Sequence, residues 1–157
     1  MSQESKKIFD PRPYAIGIIV IHLAVNIAHG FAHSRLDIGL DALQEIFVWV
    51  VILFAPLVAG YLLWKNRLRR GGWLLTISMA GAFAFGVYFH FIHPGPDNVN
   101  EPNLSAPLRS RQLFENTAMD LAICEALGVV LGLAAVFKSR APERKSAASS
   151  LSGGNSS

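Results

Sequence analysis

Four apolar blocks, each close to the roughly 20 residues an α-helix needs to cross the hydrocarbon core of a bilayer, dominate this 157-residue chain. In lipid no water is available to the backbone, so a spanning segment must be a helix or part of a closed barrel, and blocks of this length mean helices. A hydrophobic content of 52% and a mean hydropathy of +0.36 agree with that reading. The fold class expected is all-α: an integral membrane four-helix bundle, up-down-up-down, with helices at about 13–34, 42–64, 73–92 and 111–137.

The first block follows Lys6, Lys7 and Arg12, as a signal peptide would. It is longer than a usual h-region and carries His22 and Asn26, so it reads as an uncleaved helix. Residues 1–12 form a polar N-terminal segment, 13–137 the membrane domain, and 138–157 a disordered tail of Ser, Ala, Gly and charge. Between helices 2 and 3, residues 65–70 read as a basic loop closed by Gly71 and Gly72. Asp41 is placed to cap helix 2, Pro56 to kink it, and Ser110 to cap helix 4. Gly81 and Gly86 would let helices approach closely. Pro94-Gly-Pro-Asp-Asn98 stops helix 3, and residues 94–110 form an outer loop long enough to act as a lid.

Orientation follows from basic residues. The N-terminal segment, the 65–70 loop and the tail hold three, four and four of the 14 lysines and arginines, against Arg35, Arg109 and Arg111 on the other side. Both termini are therefore expected in the cytoplasm, in a bacterial inner membrane. The pI near 9.3 reflects these boundary charges and does not point to nucleic acid; the lipid bilayer is the expected partner. The single cysteine, Cys124, excludes an intrachain disulfide.

Polar residues inside such a helix are costly, and they mark function by default. At about 100° per residue, His22, Asn26, His29 and His33 fall on one stripe of helix 1, roughly 60° wide. His29 and His33, at i and i+4, can chelate from one helix, and His90 and His93, at i and i+3, from another. Glu115 and Asp120 start helix 4 in the same outer layer. Neutral imidazole with carboxylate suits zinc, iron or copper far better than magnesium or calcium. The sequence thus predicts a small membrane metalloprotein, hydrolytic or redox. His29, His33, His90 and His93 are its candidate ligands, and Asp120 and Glu115 its candidate general bases or outer-shell partners. A b-type haem held by one histidine from each helix is the alternative. A non-catalytic subunit or transport component is a further one.

Glu125 stands near mid-membrane, about 140° around helix 4 from Asp120, so the two cannot share one seam. It should be protonated, pair with His22, or turn to another copy of the chain or a partner subunit.

Overall fold

The computed structural model describes residues 9–101 and 105–152, with side chains described as far as Arg140. Residues 1–8 of the N-terminal segment and 153–157 of the tail lie outside it. Four helices make up the described fold: α1 (Arg12–Leu36), α2 (Ala42–Trp64), α3 (Leu68–Ile92) and α4 (Leu108–Ser152). The first three, and α4 as far as Arg140, are long and apolar enough to cross a membrane.

Proline opens α1: Pro11 caps it and Pro13 sits in its first turn, where the missing N–H would be unpaired anyway. Asp37 ends it in the left-handed region, φ 56°, with its N–H on the His33 carbonyl. At the start of α2 the expected cap is present and reciprocal. The Asp41 carboxylate accepts from the N–H groups of Leu43 and Gln44, both at 2.9 Å, and the Gln44 side chain accepts from Asp41 N–H at 2.8 Å.

Pro56 is accommodated by widening. The stretch Val48–Phe54, just before it, is π-helical, so Ala55 N–H reaches back five residues to the Val50 carbonyl. A proline removes one donor and crowds the carbonyl four residues earlier, and a wider turn relieves both problems.

The expected start of α3 needs correction. Residues 68–72, which by composition end a loop, are helical, and the turn is confined to Lys65–Arg67, with Asn66 at φ 60°. Gly71 and Gly72 do not close a loop; they are crossing points. A Cβ on Gly72 would stand 2.7 Å from the Gly132 carbonyl of α4, and one on Gly71 would stand 2.9 Å from Leu63 Cγ of α2. Lipid-facing helices have no hydrophobic effect to press them together, so small residues that permit backbone approach decide where they touch. Gly81 and Gly86 do less: a Cβ at Gly81 would meet Val51 at 3.3 Å, and one at Gly86 would meet its neighbours only at 3.8 Å.

A core of Ala15, Ile19, Ala59, Leu63, Leu75, Met79 and Ala135 gathers all four helices at this end. Asp10 adds polar ties, to Arg12 at 2.6 Å and to Lys138 at 3.2 Å, and the Arg12 guanidinium holds its carboxyl well below the usual carboxylate range. A second, smaller cluster of Ala32, Leu36 and Phe114 marks the other end.

Helix α4 begins at Leu108 rather than near Arg111. The Pro107 carbonyl, not Ser110, takes up the first N–H groups. The backbone stays helical to Ser152, through a stretch whose composition reads as disordered but which contains good helix formers.

Replacing Gly132 by Ala forces α3 and α4 apart against backbone, and should cost about 1–3 kcal/mol. In detergent this reads as a clear fall in Tm. Gly17→Ala, where an added Cβ meets nothing within 4 Å, should leave Tm unchanged or raise it. Equal behaviour of the two variants would refute the crossing.

Candidate metal centre

Three imidazoles converge at the end of the bundle that holds Phe114. His29 Nε2 lies 3.1 Å from His33 Nε2 and 3.2 Å from His90 Nε2. Among the described residues this is the group of three whose donor atoms could hold a metal ion, all within 4.8 Å of one another. In a tetrahedral zinc centre, bonds of about 2.05 Å separate neighbouring nitrogens by about 3.3 Å. The observed spacing is close to that.

Proton positions make the convergence informative. His90 Nδ1 lies 3.1 Å from the backbone carbonyl of Asp97, which can only accept, so Nδ1 carries the hydrogen. Thr117 donates its hydroxyl to the Leu113 carbonyl at 2.6 Å, so its oxygen accepts from His29 Nδ1 at 2.8 Å. Assigned in this way, His29 and His90 both present bare Nε2 lone pairs, and these face each other at 3.2 Å. Two lone pairs at that distance repel unless a cation, or a donor such as His33 in its Nε2–H form, shares them. Metal-binding histidines share this design, with the second ring nitrogen anchored on a carbonyl or hydroxyl.

Helix α1 supplies His29 and His33 from consecutive turns, as the sequence predicts. The two α3 histidines do not come together as the sequence predicts. Its last turn, Tyr88–Ile92, is π-helical, with His93 N–H on the Tyr88 carbonyl at 2.7 Å. A π turn advances less per residue than an α turn, so positions three apart no longer share a face. His93 also has extended backbone, ψ 124°. Its ring leaves the group, stacks on Tyr88 and meets the Tyr88 hydroxyl at 3.3 Å.

Asp97 closes the site instead, a residue that in the sequence belongs only to a helix stop. Gly95 adopts φ 153°, a conformation nearly restricted to glycine, and turns the chain back over the end of α3. Asn98 then donates to the His93 carbonyl at 2.9 Å, and Val99 N–H bonds the His90 carbonyl at 2.9 Å. This brings Asp97 Oδ1 to 3.2 Å from both His33 Nε2 and His90 Nδ1. Neither contact has hydrogen-bond geometry, and Oδ1 is buried without a donor. A buried acceptor left this way needs an explanation, and a bound ion is one. The helical pattern carries no signal for Asp97; only its place in a loop over the histidine layer does.

Helix α4 contributes Phe114 and Thr117 rather than Glu115 and Asp120. The Phe114 ring stacks on His29 at 5.1 Å and meets His33 and His90 edge-on at 5.3 and 5.5 Å, bracing all three rings. Glu115 and Asp120 are exposed and belong to no wall of the site. The inward stripe of α4 runs Phe114, Thr117, Leu121, Glu125, and both acids lie off it.

Glu125 and His22 form a deeper pair, 3% and 1% exposed, with His22 Nε2 at 3.3 Å from Glu125 Oε1. Asn26 steadies His22 by donating to its carbonyl at 3.0 Å, and its amide lies 3.1 Å from Nε2. Glu125 is thus buried within the chain rather than presented to a neighbour. One cavity of about 560 Å³ borders both levels: His29, His33, His90, Asp97, Asn26 and Glu125 all face it.

No protein-family model, curated protein or solved structure matches the chain. Fold and site together define an all-α four-helix protein with membrane-length helices and a buried three-histidine group that could hold a metal ion.

In metal-free protein, nitrogen-15 NMR of the imidazoles should find His29 and His90 as Nδ1–H tautomers. Protons on Nε2 of both rings would contradict the assignment.

Proposed function

We propose that this is an integral membrane metalloprotein whose His29, His33 and His90 hold one transition-metal ion through Nε2. In this reading the helices run up-down-up-down with both termini cytoplasmic, as the basic residues favour. The centre then lies near the non-cytoplasmic surface. The observation that carries the reading is the pair of anchored rings, His29 and His90, aiming bare lone pairs at one point. Three neutral nitrogens favour zinc, with iron or copper as the redox alternatives.

Three protein ligands and an open cavity are the arrangement of a catalytic rather than a structural site. When bound, the metal supplies Lewis acidity and lowers the pKa of a water at its free position. The chain supplies the rest. Asp97 sets its carbonyl on His90 Nδ1 and its carboxylate beside His33 and His90, and Phe114 excludes water behind the rings. Glu125, on the same cavity, is the carboxylate placed to take up a proton, with His22 and Asn26 behind it. It fills the role that the sequence pattern suggests for Asp120 and Glu115.

Geometry disfavours haem. Two axial imidazoles stand on opposite faces of a macrocycle, their nitrogens about 4 Å apart across two Fe–N bonds of about 2 Å. Here three nitrogens converge, with neighbours at 3.1 and 3.2 Å, and Phe114 packs on all three rings.

Elemental analysis of detergent-purified protein tests the reading. Wild type should carry one metal per chain, and His29→Ala, His33→Ala and His90→Ala should each lose it. His93→Ala, Glu115→Ala and Asp120→Ala should keep it. Unchanged metal content in all three cluster variants would overturn the proposal. Asp97→Asn should retain the fold and weaken affinity by about 10–100-fold, read by competition with a chromogenic chelator.

A further inference from the structure

The cavity above the three histidines has an opening, and its position indicates what enters. Helix α2 packs well only along its second half. There Ala59 and Leu63 are buried with Ala15 and Ile19 of α1, and a Cβ on Gly60 would touch Ile19 at 3.2 Å. Its first half is different. No residue of Ala42–Phe47 is buried, and only Ile52 is buried in Val48–Phe54. That half leans on α3, where Phe47 stacks on Phe85 at 4.8 Å and Val51 faces Gly81. Helices α1 and α2 therefore splay apart, and the cavity occupies the gap.

The two lips of the gap are helical stripes. Asn26, Gly30 and Ser34 line it from α1, and Glu45, Trp49 and Leu53 from α2, each set spaced by four residues. Nothing closes it at Gly30, where an added Cβ would meet no atom within 4 Å. Trp49 stays 58% exposed beside it. Both lips lie in membrane-length helices, so the slot faces acyl chains rather than water.

Charge narrows the class of visitor. Asp37, Glu45, Asp97 and Glu125 line the cavity, and among the described residues no lysine or arginine does. A phosphate or carboxylate headgroup would meet like charge there. A hydroxyl or carbonyl oxygen would not, and such an oxygen is a fitting donor to a metal's free position.

We infer that the substrate of this centre is a neutral, oxygen-bearing membrane amphiphile. It enters between α1 and α2, with its headgroup toward His29, His33 and His90 and its chain along Gly30 and Trp49. The inference rests on the metal-centre reading for the headgroup and on the slot for the chain.

Photolabelling in lipid nanodiscs tests it, with two probes carrying the same mid-chain diazirine: a hexadecanol and a palmitic acid. The alcohol should label peptides covering residues 26–40 and 45–53, and the acid several-fold less. Gly30→Trp, which fills the slot from a position where an added Cβ meets nothing within 4 Å, should cut that labelling by about tenfold or more and keep the metal. Leu53→Trp, from the other lip, serves if the first variant does not fold. Labelling spread evenly over lipid-facing residues such as Val130 and Phe137, insensitivity to both variants, or stronger labelling by the acid would overturn the inference. Metal content of the same samples separates the two readings. Slot-dependent labelling of a metal-free wild type refutes the metal centre and keeps the slot, whereas bound metal with slot-independent labelling does the reverse.

Discussion

Imidazole lone pairs aimed at one buried point are the constraint around which this bundle is arranged. His90 must keep its hydrogen on Nδ1 because a backbone carbonyl faces it, and His29 does so because the Thr117 hydroxyl is already committed to Leu113. Their Nε2 atoms are left bare, 3.2 Å apart, in a buried place. A His33 Nε2–H, 3.1 Å from His29 Nε2, can serve only one of them, and a buried acceptor left unpaired costs about 1–3 kcal/mol. Two facing each other, with Asp97 Oδ1 also unbonded although His33 and His90 stand 3.2 Å away, suit a site that could hold a cation.

The rest of the fold serves that meeting point. At the far end, glycines at 71, 72 and 132 let α2, α3 and α4 touch backbone to backbone and fix their angles. At the near end, two stretches of wide helix redirect the side chains beyond them. One accommodates Pro56; the other turns His93 out and leaves His90 in. The Gly95 turn then returns Asp97 to the histidines. Between the ends, His22 and Glu125 place a second polar pair in the bundle, separated from the histidine group by the cavity both border. The architecture is tight where α3 crosses α4 and open where α1 leaves α2.

How much of this is legible in the sequence depends on whether regular geometry governs the residue. Four helices follow from apolar length, and His29, His33 and His90 follow from the 100° rule plus depth along each helix. His93 fails because the rule assumes an α turn where the chain makes a π turn. Gly71 and Gly72 look like loop residues by composition, and only the neighbouring backbone of α2 and α4 reveals them as contacts. Glu115 and Asp120 have the right depth but the wrong azimuth. The conflict between Asp120 and Glu125 is visible in the sequence, and Phe114 and Thr117 resolve it in favour of Glu125. Asp97 lies in a loop, where no period exists to place it.

X-ray absorption at the metal edge of protein purified without chelators probes the claim most directly. The account predicts three imidazole nitrogens at about 2.0–2.1 Å, with their characteristic multiple-scattering pattern, and one or two lighter oxygen neighbours. A first shell made of oxygen alone, of sulfur, or of the four pyrrole nitrogens of a macrocycle would contradict it.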